Sequence, residues 1–281
     1  MAPLSGIVRY TDRFLRIRDV GDWDNALNGL QIENSGRVTR IGAAVDVSTR
    51  VLTEAGKRNV DFLIVHHGLF WPGLQPVTRS LHRHLQLAFE TDMALYSAHL
   101  PLDIHPKVGN NAQLVAALFG VRRSREGRTA FKSSPPRIRP VADADMSAHS
   151  KSAELFLEEK GQPVGLKIRA SVLRSELVRK LQKTLNAPVK VFGFGPKQTR
   201  NIGIVTGAAG SEIYRVAEEN IDTFITGEAP HWAAVAAEEL GMNLLLGGHY
   251  ATEVFGVKAL AAHLSKRFRI PWEFIDCPTG L

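Results

Sequence analysis

Short apolar runs that read as buried strands alternate with helical patterns along most of this 281-residue chain. The predicted strands are 41–45, 62–65, 93–96, 189–192, 202–205, 223–226 and 243–246. The predicted helices are 50–58, 80–91, 112–119, 175–185, 212–219, 232–240 and 253–268. This alternation favours an α/β protein with largely parallel or mixed sheets. Residues 124–150 have no clear period and are predicted to be a loop or connection.

Two stretches of the chain resemble each other when residue 41 is aligned with residue 202 and no gap is introduced. Both copies read strand, small-residue turn, helix, Asn-x-Asp and strand, and they end in His66-His67 and in Gly227-Glu228. Further along, each copy has a histidine followed four residues later by a carboxylate. We interpret the match as an internal duplication, which predicts two similar lobes with a site at their junction. The alternative is chance similarity between two βαβ units.

Three predicted strands are followed directly by histidine and carboxylate side chains. These are His66 and His67 after the strand at 62–65, His99 with Asp103 after 93–96, and His249 with Glu253 after 243–246. The carboxyl ends of strands are where α/β sheets bind ligands, because the loops there are free to carry polar groups. Each histidine taken alone could instead have only a structural role. Glu253 could likewise serve only to stabilise the dipole at the N-terminus of a helix that starts near Thr252.

Taken together, the three groups favour a metal site over these structural roles. Imidazole nitrogens and carboxylate oxygens suit a hydrolytic site of zinc, iron or manganese and do not choose among these metals. A carboxylate such as Asp103 or Glu253 can bridge two ions about 3.5–4 Å apart, as two-metal sites require. The single cysteine, Cys277, excludes an internal disulfide and a zinc site built on several thiolates.

Almost all of the net charge of +7 lies between Arg122 and Pro140, where seven basic residues stand against the acidic Glu126. One interpretation is an anion-binding strip for nucleotide or nucleic acid, whose affinity would fall steeply with added salt. We favour a solvated linker, since no aromatic ladder for base stacking accompanies the charge. No apolar run approaches the roughly 18 residues of a membrane span and no signal-peptide pattern is seen, so we expect a cytoplasmic protein without a membrane partner.

Several motifs together match a known family. They are DNALNGLQ at 24–31, HHGLFW at 66–71, HLPLDIH at 99–105, GNNAQL at 109–114, FITGE at 224–228, GHYATE at 248–253 and FID at 274–276. The chain resembles the GTP cyclohydrolase I type 2 homologues, a family of dinuclear-metal proteins, over nearly its whole length except residues 123–200. The resemblance implies two intertwined α/β lobes related by a pseudo-dyad, with the metal site at their junction. It also implies a toroidal homohexamer, here in a short form without the domain that longer relatives insert between the halves.

The resemblance also implies roles for individual residues. Residues 1–122 with 235–281 would form the lobe that carries the metal ligands, and 123–234 the second lobe. By motif position, the ligands of two divalent ions per chain would be His66, His67, Asp103, His249 and Glu253. The groups beside the metals, acting as acid or base or handling the substrate, would be His99, Glu228 and His231. Many relatives have a second histidine where this chain has Trp232, which leaves the role of His231 open.

The family name implies hydrolytic opening of the guanine ring of GTP at C8 with loss of formate. We therefore predict a metal-dependent hydrolase of a nucleotide or related small molecule, in which His99 or Glu228 moves protons. Nothing in the sequence selects a purine over other substrates, since no phosphate-binding glycine motif is present. The alternative is a non-enzymatic metal-binding ring that stores or delivers metal, or that serves as a scaffold for other proteins.

Overall fold

The computed structural model describes residues 1–120 and 153–281. Its strands are β1 Ala2–Pro3, β2 Gly29–Ile32, β3 Arg37–Val38, β4 Ile41–Asp46, β5 Phe62–His67, β6 Ala94–Ser97, β7 Ala153–Glu159, β8 Gln162–Leu173, β9 Lys190–Gly193, β10 Gln198–Ile204, β11 Thr223–Thr226, β12 Asn243–Leu246 and β13 Trp272–Phe274. Its α-helices are α1 Leu4–Leu15, α2 Thr49–Lys57, α3 Arg79–Glu90, α4 Leu100–Asp103, α5 Asn110–Phe119, α6 Arg174–Leu185, α7 Ile213–Glu218, α8 His231–Glu239 and α9 His249–Phe268. The fold is therefore a mixed α/β fold, as predicted.

The chain divides into two compact units, Met1–Asn110 with Glu253–Thr279 and Asn111–Thr252 with Gly280–Leu281. These boundaries differ from the predicted lobes, which placed residues 235–252 with the metal ligands. The physical reason is that β12 pairs in parallel with β11 and antiparallel with β9, so it belongs to the sheet of the second unit. The predicted loop at 124–150 and the basic stretch at 122–140 lie outside the described residues.

The sheet of the first unit has five strands in the order β13-β4-β5-β6-β2. The first four run parallel and β2 is antiparallel to β6. One face packs on α2 and α3, where Leu52 and Leu81 join Leu63 and Val65 in a buried cluster. Residues 41–45 and 62–66 are buried without alternation. This is expected for parallel strands covered on both faces, and it explains why they read as continuous apolar runs in the sequence.

The sheet of the second unit has six strands in the order β7-β8-β10-β11-β12-β9. β10, β11 and β12 are parallel, and the remaining pairings are antiparallel. The hairpin of β7 and β8 was missed in the sequence. Its turn residues, Lys160 and Gly161, both have positive φ, as a type I′ turn requires, but Lys-Gly lacks the usual Asn-Gly or Asp-Gly signature.

The parallel strand pairs of the two units have the register that the gapless sequence alignment requires. Ile41 pairs with Phe62 in the first unit, and Ile202 pairs with Thr223 in the second. The aligned residues Asn59 and Asn220 also share a left-handed backbone conformation, with φ of 55° and 56°. This agreement supports the internal repeat inferred from the sequence.

The aspartates of the two Asn-x-Asp motifs do the same structural work. Asp61 accepts hydrogen bonds from the backbone N–H groups of Thr39 and Arg40, at 2.8 and 2.9 Å. Asp222 accepts them from the N–H groups of Arg200 and Asn201, at 2.9 and 2.8 Å. Each aspartate thereby holds the backbone near the start of the parallel strand that precedes it in the chain.

Helix α9 begins at His249, four residues earlier than predicted. Gly248 has a φ of +91°, which turns the chain, and the N–H of Thr252 donates to the carbonyl of Gly248 at 3.1 Å. Glu253 is therefore the fifth residue of the helix. It lies beyond the first turn, so it does not have the role of stabilising the helix dipole from that turn. Within residues 1–120 and 153–281, no helix combines the length and apolar character that crossing a membrane demands.

We expect the substitution Asp61→Ala to lower the free energy of unfolding of the first unit by about 1–2 kcal/mol, because backbone donors lose a charged acceptor. Urea unfolding followed by circular dichroism measures this. Asp19→Ala is the matched control, since Asp19 makes an exposed ion pair with Arg16 and should cost less. An effect of Asp61→Ala no larger than that of the control would contradict the role of Asp61.

Candidate metal centre

His66 and His67 are the last two residues of β5, which extends two residues beyond its predicted end. The His66 side chain is fully buried, the His67 side chain is 15% exposed, and their ring centroids lie 4.8 Å apart. Gly68 follows, and a Cβ there would lie 2.3 Å from the Gln31 amide and 2.6 Å from Ser97 Oγ. A side chain at 68 would therefore displace the Gln31 amide, whose oxygen accepts a hydrogen bond from the N–H of Leu69.

Two carboxylates of the first unit lie beside the histidine pair. Asp103, at the end of α4, has Oδ2 at 3.4 Å from Nε2 of His66. Glu253 has Oε1 at 3.4 Å from the same nitrogen and Oε2 at 3.5 Å from Nε2 of His67. Both carboxylates are buried, with side chains 11% and 4% exposed. The spacings are longer than hydrogen bonds, so the atoms converge on a shared space rather than on each other.

Within the first unit, the donors form two overlapping groups that could hold a metal ion. One consists of His66, His67 and His99, and the other of His66, Asp103 and Glu253, with the ligand atoms of each group within 4.8 Å of one another. His66 Nε2 is buried and has no hydrogen-bond partner among the described residues. A buried polar atom left without a partner is costly, and coordination to a cation would satisfy it. The residues therefore fit a divalent metal.

The carboxylates also change the protonation of His66. Burial by itself lowers the pKa of this histidine, but the negative charges of Asp103 and Glu253 outweigh it and raise the pKa well above its usual value. In the absence of metal, a proton therefore takes the place of the cation between the two carboxylates.

Each histidine is held through its other ring nitrogen. Nδ1 of His66 donates to the carbonyl of Ala98 at 2.8 Å, and Nδ1 of His67 is 2.8 Å from Oδ1 of Asp46. Because a carbonyl oxygen only accepts, the proton of neutral His66 sits on Nδ1 and its Nε2 lone pair is free to bind a metal. Support of this kind for ligating histidines is usual in metal sites and fixes both tautomer and ring orientation.

His99 is held by the loop that precedes β2. Oδ1 of Asp22 lies 2.9 Å from Nδ1 of His99, and Oδ2 of Asp22 accepts from the N–H of Leu100 at 2.9 Å. Asn28 donates to Asp22 at 2.7 Å and accepts from the N–H of His99 at 2.7 Å. Burial raises the pKa of Asp22, but hydrogen bonds and the charge of His99 outweigh it, so the pKa of Asp22 is lowered. Asp22 is thus an anion at neutral pH that orients His99.

Asp103 is positioned by an asparagine and a glycine. Nδ2 of Asn110 donates to Oδ1 of Asp103 at 2.8 Å, and Oδ1 of Asn110 accepts from the N–H of Gly256 at 2.6 Å. A Cβ at Gly256 would lie 2.7 Å from that same amide oxygen. Glycine at 256 therefore gives the amide the space that it needs to reach the backbone of α9.

Two tryptophans flank the histidines. The ring of Trp71 lies 4.6 Å from that of His99 and 5.5 Å from that of His67. Trp23 approaches His99 edge-on at 5.5 Å. Their apolar surfaces limit the access of water to this side of the cluster.

Three of the sequence-predicted residues belong to the second unit. His249 is the first residue of α9, and its Nδ1 lies 3.3 Å from Oε1 of Glu228, which follows β11 by two residues. His231 is the first residue of α8 and is exposed. The structure thus brings together five predicted residues within the first unit, namely His66, His67, His99, Asp103 and Glu253. The roles of Glu228, His231 and His249 stay predictions.

The residues that hold the histidines and Asp103 were not predicted from the sequence. Asp46 follows the predicted strand 41–45 directly, so the rule that found the histidines at strand ends would also have found it. No local pattern links Asp22 to His99 or Asn110 to Asp103, because these pairs depend on how the chain folds back on itself.

We expect Gly256→Ala to weaken metal binding about 10–100-fold, the usual effect of removing a group that orients a ligand. The added methyl group would displace the Asn110 amide and release Asp103. Competition against a fluorescent zinc chelator measures the affinity. Ala261→Gly, at a buried position of the same helix, controls for a general change in α9. Equal affinities of Gly256→Ala and wild type would contradict this role.

We expect metal binding to release a proton from His66 and to weaken as the pH falls. The raised pKa means that the proton still competes for Nε2 at neutral pH, so lowering the pH strengthens the competitor. Calorimetry of zinc binding in buffers of different ionisation enthalpy measures the protons released. No release at pH 7 would contradict the protonation state assigned to the metal-free site.

Comparisons with known proteins agree with this fold and identify the family. The sequence profile of the family described as Duf34/NIF3 (NGG1p interacting factor 3) matches residues 2–279. A Deinococcus radiodurans protein named GTP cyclohydrolase 1 type 2 homolog is 35% identical over 280 residues, 98% of this chain and 93% of that protein. The crystal structure of TTHA1606 from Thermus thermophilus has a TM-score of 0.79 at 34% identity over all of both chains. HcgD from Methanocaldococcus jannaschii, at 24% identity and a TM-score of 0.77 over 98% of both chains, shares the fold. The chain therefore belongs to the Duf34/NIF3 family.

Proposed function

We propose that this protein is a metal-dependent hydrolase of a nucleotide or related small molecule, with two divalent ions per chain. The observation that carries the proposal is the convergence of imidazole and carboxylate donors on the buried, unpartnered Nε2 of His66. Nitrogen and oxygen donors without thiolates are the set that hydrolytic zinc, iron and manganese sites use. The name of the Deinococcus radiodurans relative suggests GTP as the first substrate to test.

Within this proposal, His66, His67, Asp103 and Glu253 would hold metal. A divalent ion bound there would lower the pKa of a water molecule and polarise a substrate oxygen. The pseudo-dyad of the lobes, the hexameric ring and the assignments of His249 as a ligand and of Glu228 and His231 beside the site remain predictions from the family resemblance.

His99 is the residue that we assign to proton transfer. Asp22 holds its Nδ1, which leaves Nε2 to donate or accept a proton near the candidate ligands His66 and His67. The paired carboxylate stabilises the imidazolium that forms when His99 takes up a proton. Asp22 thus prepares His99 for acid–base work without touching the substrate.

A second candidate function is metal storage or delivery without turnover. The burial of the candidate ligands favours this alternative, since His66 is 0% and Glu253 is 3% exposed. Sites that only hold a metal are typically closed to solvent. Under this alternative, His99 would serve as one more ligand, as its membership of the three-histidine group allows.

Metal content and turnover of three variants separate the two functions. We expect His66→Ala to lose metal and turnover, because it removes the nitrogen shared by both donor groups. His99→Ala should keep metal and lose most of the turnover, on the order of 10²–10⁴-fold for an acid–base group. His82→Ala, an exposed histidine of α3, is the control and should match wild type in both. Elemental analysis gives the metal, and formate release from GTP gives turnover.

The outcomes are distinct. Loss of metal in His99→Ala, with no turnover by the metal-loaded wild type, would favour storage or delivery. Wild-type metal content in His66→Ala would show that the site is misassigned, whatever the turnover.

A further inference from the structure

A cavity of about 230 Å³ adjoins the candidate metal ligands within the first unit. His67 forms part of its wall, together with Asp46, Trp71, Gln75, Ser80 and His84. Trp71 also contacts the ring of His99. His67 and Trp71 therefore connect the cavity to the cluster of candidate metal ligands. A group bound in this cavity would therefore lie next to His67.

The charges of the lining select against an anion. No lysine or arginine is among the described residues that line the cavity. The carboxylate of Asp46 lies in the lining and is hydrogen-bonded to His67. Burial lowers the pKa of His84, so this histidine is neutral at pH 7 and has one nitrogen that donates and one that accepts. A phosphate chain inside this cavity would meet the carboxylate of Asp46, and no lysine or arginine of the described lining would balance its charge. A phosphate would therefore be drawn towards metal held by His67 and not towards the rest of the lining.

The volume of the cavity and the chemistry of its lining suit a single ring system. At about 230 Å³, the cavity is smaller than the ~300–1,000 Å³ clefts that enclose whole drug-sized ligands, a volume that suits one ring system with the rest of a larger ligand outside. The indole of Trp71 supplies a surface on which an aromatic ring stacks. Gln75, Ser80 and His84 supply neutral donors and acceptors for the ring edge.

We propose that this cavity binds the uncharged heteroaromatic ring of the substrate and places it beside the metal ligand His67. The inference rests on the proposed function, which it deepens by naming the part of the substrate that is recognised. It assigns the specificity to Trp71 and the neutral polar groups, and it leaves any phosphate chain outside the cavity.

Binding of guanosine and of inorganic tripolyphosphate to the full-length protein tests this. By calorimetry, we expect guanosine to bind to the protein with and without metal. In the metal-free protein, where no bound ion attracts phosphates, we expect tripolyphosphate neither to bind in place of guanosine nor to weaken its binding. Trp71→Ala should weaken guanosine binding about tenfold, as expected for the loss of one stacking surface, and Trp71→Phe should restore most of it. Trp23→Ala is the matched control, because Trp23 contacts His99 and does not line the cavity.

The inference would be overturned if guanosine did not bind to metal-loaded wild type, if wild type and Trp71→Ala had equal affinities, or if tripolyphosphate displaced guanosine from the metal-free protein. Equal losses in Trp71→Ala and Trp23→Ala would also overturn it, since the effect would then pass through His99. The metal content of the same samples distinguishes a failure of the proposed function from a failure of the inference about the cavity. A wild type without metal removes the proposed function, whereas a metal-loaded protein that fails to bind guanosine removes only the inference about the cavity.

Discussion

The arrangement of the site depends on one buried imidazole. His66 is fixed on one side by the carbonyl of Ala98 and faces the largely buried carboxylates of Asp103 and Glu253 on the other. Two buried carboxylates so close together need a positive charge, and in a protein this charge is a proton or a metal ion. Other features of the site follow from this requirement, including the asparagine that holds Asp103.

The parallel strands explain why these groups meet. β4, β5 and β6 end at the same edge of the sheet, so Asp46, His67 and the residues after Ser97 come together there. The second unit repeats the register of the first parallel pair, with Gly227 and Glu228 at the positions of His66 and His67. The same backbone framework therefore carries two different sets of side chains, which shows that strand register and site chemistry vary separately in this fold.

Much of this could be predicted from the sequence, for identifiable physical reasons. Buried parallel strands are continuous apolar runs, so the strands at 223–226 and 243–246 were predicted with their correct bounds. The histidines and carboxylates were found because they follow such strands. The sequence carries no comparable signal for α1, whose apolar residues are separated by charges, or for the contacts of Asp22 and Asn110. Those contacts arise only when distant segments pack, and no local periodicity encodes them.

The first unit is built from two separate stretches of chain, which it leaves at Asn110 and re-enters at Glu253. The hydrogen bond from the Gly256 N–H to the side chain of Asn110 joins these two points directly. A long segment whose ends are clasped in this way can change in length at a small entropic cost, because loop-closure entropy grows only with the logarithm of length. The hydrogen bond between Asn110 and Gly256 therefore lets the first unit keep its structure whatever segment connects residues 110 and 253. Evolution can lengthen or replace that intervening segment while Asp103 and Glu253 keep their places on either side of it.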